Sequence, residues 1–448
     1  MRWSARGAGA SAEVVGLGWA LGLALFTTSF FALYLGGVAS RDAVAPALVL
    51  ALAGVAMGAR ALRAARRGDP SVEDSGPRAL VIVGLGLAAV QVALTAWMAV
   101  RSPLASFDAW SVWAFKARMF ALGGPRPGYF RDYATLNTHP DYPLNLPLAE
   151  AALFRVPGSP GVTLAGLLGP ACLAALLLLF YAGLTRLYGR AVAALAAGAL
   201  SLVPTLTLQA PGGDADVPLT MYAGASALYL LLWWRGRRPA DALLMGLLAG
   251  GAAWTKKEGL PVVTLLVLAY AAGEILRPDT RPRARAWTTM AVILGAAALP
   301  LPWLLFIHFV HPLPRDFLPL TPAVFVAHAG RLPHIATFFV LQMLAFKNWS
   351  LLWVALAGIL LLAARRLTPG GRVLLLLLCG QLGIYMVAFV FSGWQPYTAH
   401  VQTSLDRLLV QTVPLALLLL VEAVATLTAG RAEATGHATT RSRGLAAR

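Results

Sequence analysis

Charge is scarce in this chain. Asp, Glu, Lys and Arg make up 12% of its 448 residues, about half the share of a typical soluble domain. Cysteine is scarcer still, with Cys172 and Cys379 the only two. Both fall inside apolar runs, where a small buried role is expected and a disulfide has little support. Lysine occurs four times, as Lys116, Lys256, Lys257 and Lys347, so nearly all of the basic charge is arginine. Acids are few as well, 19 against 36 basic residues, which leaves a net charge of +17. In a soluble protein that excess would point to nucleic acid.

What is abundant removes that reading. Hydrophobic residues make up 58% of the chain and the mean hydropathy is +0.70, as expected of a protein solvated mostly by lipid. We count about 20 residues per crossing and allow shorter runs inside a bundle. Apolar runs then lie near 14–36, 43–59, 79–100, 161–183, 191–209, 217–234, 241–255, 259–276, 288–310, 345–364, 373–391 and 408–428. The expected fold is an all-α polytopic membrane protein with about twelve transmembrane helices and a large outer loop carrying interfacial helices. The first run is long for a signal peptide and has no convincing small-residue cleavage site, so it is kept as a span.

Arginine sets the sidedness. Alternate gaps carry Arg60, Arg63, Arg66, Arg67 and Arg78, then Arg186 and Arg190, then Arg235, Arg237 and Arg238, then Arg277, Arg281, Arg283 and Arg285, then Arg365, Arg366 and Arg372. By the positive-inside rule those gaps are cytoplasmic. Arg2 and Arg6, with Arg431, Arg441, Arg443 and Arg448 in the tail, put both termini inside as well. Topology thus absorbs most of the 36 basic residues, and nucleic acid is not needed as a partner. The basic gaps at 235–238 and 277–285 require an even number of crossings between them, so two short spans turn at WTKKEGL. Between an outer loop ending near Pro333 and the inner Arg365 the number is odd, so 334–344 is read as an interfacial stretch before a single span. The expected organisation is a two-span addition with a cytoplasmic linker over 1–78, a transmembrane catalytic domain over 79–428 with its outer loop at 101–160, and a flexible cytoplasmic tail over 429–448.

The basic residues left on the outer side work against the positive-inside rule and need another reason, such as pairing or anion binding. The outer loop opens with RSPLASFDAWSVWAFKARMF. Trp110, Trp113 and Phe115 suit a helix at the headgroup level, with Asp108, Lys116 and Arg118 on its polar side or ends. They are either the ordinary charges of such a helix or a carboxylate beside two cations that hold a phosphate. The same loop carries NTHPDYPLNLPL, with His139 and Asp141 in a proline-rich, non-helical stretch. In PGGDADVPLT, Asp214 and Asp216 either hold a divalent cation from one side of an extended turn or cap the helix that begins at Val217. Lys256, Lys257 and Glu258 lie at the edge of two short spans, where charge is usually functional. Arg407, after Asp406, either snorkels to the interface or binds phosphate. His400 has no partner that the sequence names.

In this order the features resemble the C-type glycosyltransferases, in particular the branch of protein O-mannosyltransferases and lipid A aminoarabinose transferases. Asp108 opens the first large outer loop, HPDYP from His139 to Pro143 closes it, the acidic turn of Asp214 and Asp216 leads a span, GLLAGGAAWTKKEGL follows, and an Arg-Leu-Leu-x-x-x-x-Pro pattern runs from Arg407 to Pro414. The matching stretch covers about residues 80 to 420. The family's large loop usually follows its first span, whereas here two extra apolar segments come before it, and Asp108 is followed by Ala109 where the family often has an acidic pair.

The resemblance implies transfer of a sugar from a polyprenyl-phosphate donor to an envelope lipid, glycan or protein acceptor at the outer face of the inner membrane. In that reading Asp108 is the general base of an inverting displacement. Lys116, Arg118, Lys256, Lys257 and Arg407 bind the donor phosphate. His139, Asp141, Asp214, Asp216 and Glu258 contact substrate or a divalent cation, with no cofactor assigned. Two other readings share the outer loop: a transporter or flippase of lipid-linked or anionic substrates, and a surface-polysaccharide polymerase or ligase.

Overall fold

The computed structural model describes residues 5–66, 76–125, 128–156, 161–276, 282–310 and 316–428. The tail 429–448, the linker positions 67–75, and Arg2, Arg126, Arg277, Arg281 and Arg315 lie outside them. Nearly all described residues are helical. No strand occurs among them, only one isolated bridge between Phe317 and Ser392. In lipid a backbone has no water to bond, so long apolar runs close their own hydrogen bonds as helices.

Eight helices are long and apolar enough to cross a membrane: Gly9–Leu35, Ser40–Ala64, Arg78–Arg101, Gly161–Tyr188, Asp216–Gly236, Gly259–Leu276, Pro322–Met343 and Pro369–Val390. Three bent pairs raise the number to as many as eleven: Arg190–Ser201 with Pro204–Gly212 at 65°, Pro282–Ala298 with Leu301–Val310 at 52°, and Tyr397–Val410 with Val413–Thr428 at 49°. Each break has a proline in it or just after it, at Pro204, Pro300 and Pro414. A proline lacks the N–H that would carry the helix across and clashes with the preceding turn.

The count therefore falls below the expected twelve in two places. Pro239–Thr255 forms where a span was expected but is 17 residues long. The expected span at 345–364 is a short turn, Phe346–Trp349, followed by the 12-residue Leu352–Ala363. Pro322–Met343, expected as loop and interfacial stretch, is among the long apolar helices instead. Pro322 and Pro333 look like breakers in the sequence, yet a 3-10 turn at Ala329–Arg331 divides this stretch, so each sits in the first turn of its own segment, Pro322–His328 and Leu332–Met343, where proline has no hydrogen bond to lose. Thr321 caps that start by accepting from the Val324 N–H.

Packing centres on Asp216–Gly236, which is buried from Asp216 to Trp234. The first helix is part of this core. Tyr222 donates to the Ala20 carbonyl at 2.7 Å, and Thr27 bonds Asn145 at 2.6 Å and receives the Trp254 indole N–H at 2.8 Å. The second helix, by contrast, shows Val49, Leu52 and Met57 to the lipid. Arg78–Arg101 meets Arg190–Ser201 through facing glycines, since a Cβ on Gly84 would lie 2.3 Å from the Ala194 carbonyl carbon. Small residues let two membrane helices approach this closely.

One end of the bundle gathers the arginines. Glu13 accepts from Arg66 at 2.8 Å and from the Tyr229 hydroxyl at 2.7 Å. Asp241 accepts from Arg66 at 2.7 Å and Arg186 at 2.8 Å. Glu422 takes Arg235 at 2.6 Å with Tyr188 and Thr368 beside it, and Glu274 takes Arg237 at 2.9 Å and Arg285 at 3.1 Å.

Candidate functional site

Asp216 and Arg235 occupy opposite ends of one helix, so the groups around Asp216 lie roughly 30 Å from the arginine end. The chain reaches Asp216 through a tight turn in which Gly213 adopts φ +85°, a conformation costly for any residue with a Cβ. The turn sends its two carboxylates in different directions. Asp214 accepts the Ser106 hydroxyl at 2.6 Å, and that hydroxyl in turn accepts the Ala109 N–H at 2.9 Å. Burial pushes the Asp214 carboxyl up to about 6, against the pull of Arg407.

Asp216 is fully buried and fully occupied. Its Oδ1 accepts from Lys256 Nζ at 2.8 Å and from Gln411 Nε2 at 2.9 Å, and its Oδ2 accepts from Arg407 Nε at 3.0 Å. Arg407 reaches on with Nη1 to Asp108 Oδ2 at 2.5 Å. Lys256 also lies 3.1 Å from Glu258 Oε1. Burial alone would strip the Lys256 proton, but Asp216 and Glu258 more than offset it and hold the amine charged. Four segments distant in sequence thus meet in one network of Asp108, Asp216, Lys256 and Arg407. Arg407 Nη2, the third ammonium hydrogen of Lys256 and Asp108 Oδ1 are left over for a ligand.

The proline-rich stretch of the loop closes over this network. Lys257 is paired with Asp141. His139, in the left-handed region at φ +48°, sits 3.4 Å from Asp316 Oδ2 and stacks on Tyr142 with centroids 4.5 Å apart. Tyr142 stacks in turn on Trp113 at 5.6 Å.

Two of the expected phosphate-binding cations stand elsewhere. Lys116 is fully buried and donates to the His139 carbonyl at 2.9 Å, with its ammonium 4.9 Å from the Trp113 ring centroid. Burial first, then repulsion from Lys257, pushes its amine well below the ordinary lysine range. It clamps the loop from within. Arg118, two positions on, is exposed on the other flank and joins none of these groups. Asp214 and Asp216 do not converge on a common point, and among the described residues no group of three His, Cys, Asp or Glu could hold a metal ion.

Several participants carry no signal in the sequence. Gln411 lies one helical turn after Arg407, and Asp316 comes from an otherwise unremarked loop. Glu150 is fully buried with neither oxygen hydrogen-bonded, and burial, then repulsion from Asp214, pushes its carboxyl well above the usual range. His400, for which no partner was expected, is bonded to the Ser392 hydroxyl at 2.9 Å and stacked on Trp394.

Residues 150–306 match the profile of the dolichyl-phosphate-mannose-protein mannosyltransferase family. That stretch holds Asp214, Asp216, Lys256, Lys257 and Glu258, while Asp108 and Arg407 fall on either side of it. No curated protein and no solved structure matches the chain.

Proposed function

We propose that this chain is a membrane glycosyltransferase that moves a sugar from a polyprenyl-phosphate donor to an envelope lipid, glycan or protein acceptor at the outer face of the inner membrane. The observation that carries the reading is the network of Asp108, Asp216, Lys256 and Arg407, held at the end of the bundle away from the arginine clusters. Charge buried at that depth is costly unless paired, and here the pairing still leaves two cationic donors unspent. The family match over the Asp216 and Lys256 segments supports the same chemistry.

Asp216 receives three donors and is the anchor of the site. Its role is to hold Arg407 and Lys256 side by side so that both meet the donor phosphate. Asp108 is bonded through one oxygen only, which leaves Oδ1 to accept the proton of the acceptor hydroxyl. The acceptor oxygen bonds to the anomeric carbon as the bond from that carbon to the phosphate oxygen breaks, and the electron pair leaves with the polyprenyl phosphate. A single in-line displacement of this kind inverts the anomeric centre. The leaving phosphate needs charge stabilisation more than a proton, which a guanidinium and an ammonium supply. Lys116 and the stacked Trp113, Tyr142 and His139 keep the loop in place over the site.

The reading is tested by mass analysis of lipids and envelope glycans from a deletion strain. Accumulated monosaccharide-carrying polyprenyl phosphate, together with an envelope glycan or lipid lacking one sugar, is the expected result. An unchanged lipid and glycan profile would overturn it.

A further inference from the structure

Trp394 is held more tightly than a membrane-interface tryptophan needs to be. A tryptophan of the aromatic belt turns its indole N–H toward water and headgroups. Here Nε1 points inward and donates to Asp316 Oδ1 at 3.0 Å, and the backbone N–H donates to the Ser392 hydroxyl at 3.3 Å. That hydroxyl is shared with His400, whose ring lies flat against one face of the indole at 4.8 Å and 15°. Gly393 N–H donates to the Asp316 carbonyl at 2.9 Å, and Leu318 N–H to the Phe391 carbonyl at 2.8 Å, so two loops are laced together around the ring. The Asp316 carboxylate that fixes Trp394 is also the one beside His139. Trp394 therefore borders the loop that covers the Asp108, Asp216, Lys256 and Arg407 network. One face is packed on His400 and, among the described residues, no second ring stacks on the indole, which is only partly buried.

A rigid indole face edged by a carboxylate and a histidine suits a ring that is apolar on its faces and polar round its rim. A pyranose is such a ring. Its C–H bonds carry partial positive charge and pack on the electron-rich indole face, while its hydroxyls reach the polar edge. We propose that Trp394 is the platform for the pyranose of the donor, with Asp316 and His139 at the edge to read its hydroxyls. This subsite rests on the donor reading above but is separate from the phosphate-binding groups.

The test compares two probes on the full chain in nanodiscs: bare polyprenyl phosphate, and polyprenyl phosphate bearing mannose or glucose. Losing one aromatic stacking partner is expected to weaken binding roughly threefold to tenfold. Trp394→Ala should lose that factor for a glycosylated carrier and bind the bare carrier as the wild type does. Trp394→Phe, which keeps a ring face, should recover most of the loss. Equal weakening of both probes would make Trp394 a structural residue and overturn the subsite, as would a wild type that shows no preference for either glycosylated carrier over the bare one. A wild type that binds neither class of carrier would overturn the donor reading itself.

Discussion

The two charged ends of the bundle are built from the same materials and differ in how far their acids are exposed. At the arginine end, the acid side chains of Glu13, Asp241, Glu274 and Glu422 are at most 7% exposed, and each meets at least one arginine. At the other end Asp108 is 30% exposed, Glu258 21% and Asp141 15%, and lysine supplies two of the three cations that meet them or Asp216. Arginine forks close a carboxylate geometrically, while a lysine ammonium holds it as a point charge with hydrogens to spare. Buried ion pairs alone therefore do not mark a site. What marks one is a pair left with unused donors and acceptors where a ligand can arrive.

The comparison would break outright if the two ends faced the wrong compartments. In a Cys379→Ser background, Leu122→Cys in the 80%-exposed loop position should react with an impermeant maleimide in intact spheroplasts. Arg63→Cys, near the arginine end, should react only after lysis. The reverse pattern would place the proposed site inside.

Next in size is a pair of matched neutralisations. Asp108→Asn should lower turnover by about 10²–10⁴-fold, because the amide keeps the size but cannot take a proton. Its mirror, Asp241→Asn, should cost about 3–5 kcal/mol of stability by leaving two arginines short of a partner, with transfer per folded molecule nearly unchanged. Both are read by transfer from a synthetic polyprenyl-phosphate sugar, normalised to folded protein, beside a thermal melt. Near-normal turnover in Asp108→Asn would move the base elsewhere, with Asp141 and Asp214 next to test.

These residues also show what a sequence can and cannot display. Asp108, Asp216, Lys256 and Arg407 stand out because charge is rare in this chain, and the two cations stand out further because the arginine pattern predicts an outer position for them, where the positive-inside rule disfavours Lys and Arg. Their mutual contacts span up to 299 positions and follow no local periodicity. Lys116 looked like a phosphate ligand because lysines on interfacial helices usually reach water. Small neighbours, Ala114 and Ala117, let that helix face pack inward instead. Gln411, Trp394 and Asp316 were invisible for the opposite reason, since each is unexceptional in its own segment and gains a role only from a distant partner. The apolar runs were legible throughout, whereas the helix starts at Pro322 and Pro333 were not, because a proline that ends one helix and a proline that begins another look alike.

A smaller effect separates the lysines. Lys256→Ala should weaken donor use by about 1.5–3 kcal/mol, roughly tenfold to a hundredfold, as the loss of one charge-assisted contact. Lys257→Ala should fall at the lower end, because its side chain is 46% exposed and already paired with Asp141. Arg237→Ala, at the other end, should leave the donor KM unchanged. Equal and negligible effects at all three would remove the lysines from the site.

The smallest effect concerns Asp214, which like Glu150 is an acid near the site whose burial no ion pair offsets. Its carboxyl ionises near 6 in the folded chain against 3.8 for an ordinary aspartate. Between those values the folded protein holds a proton that the unfolded chain has released, so the contribution to stability is fully present below 3.8 and is lost as the pH rises through 6. A shift of about 2 units would be worth about 3 kcal/mol, and the partial exposure of the side chain brings the expectation nearer 1 kcal/mol. Asp214→Asn cannot ionise but can still accept the Ser106 hydroxyl. The variant should therefore match the wild type in a melt near pH 4 and be the more stable of the two by about 1 kcal/mol at pH 7. Transfer at pH 7 should change little if, as proposed, Asp108 takes the proton and Asp214 only shapes the loop. A gap between the two proteins that stays constant from pH 4 to 7 would mean that Asp214 is ionised throughout. A collapse of turnover in Asp214→Asn would instead make Asp214 the base, and Asp108 would then be the residue that merely holds Arg407.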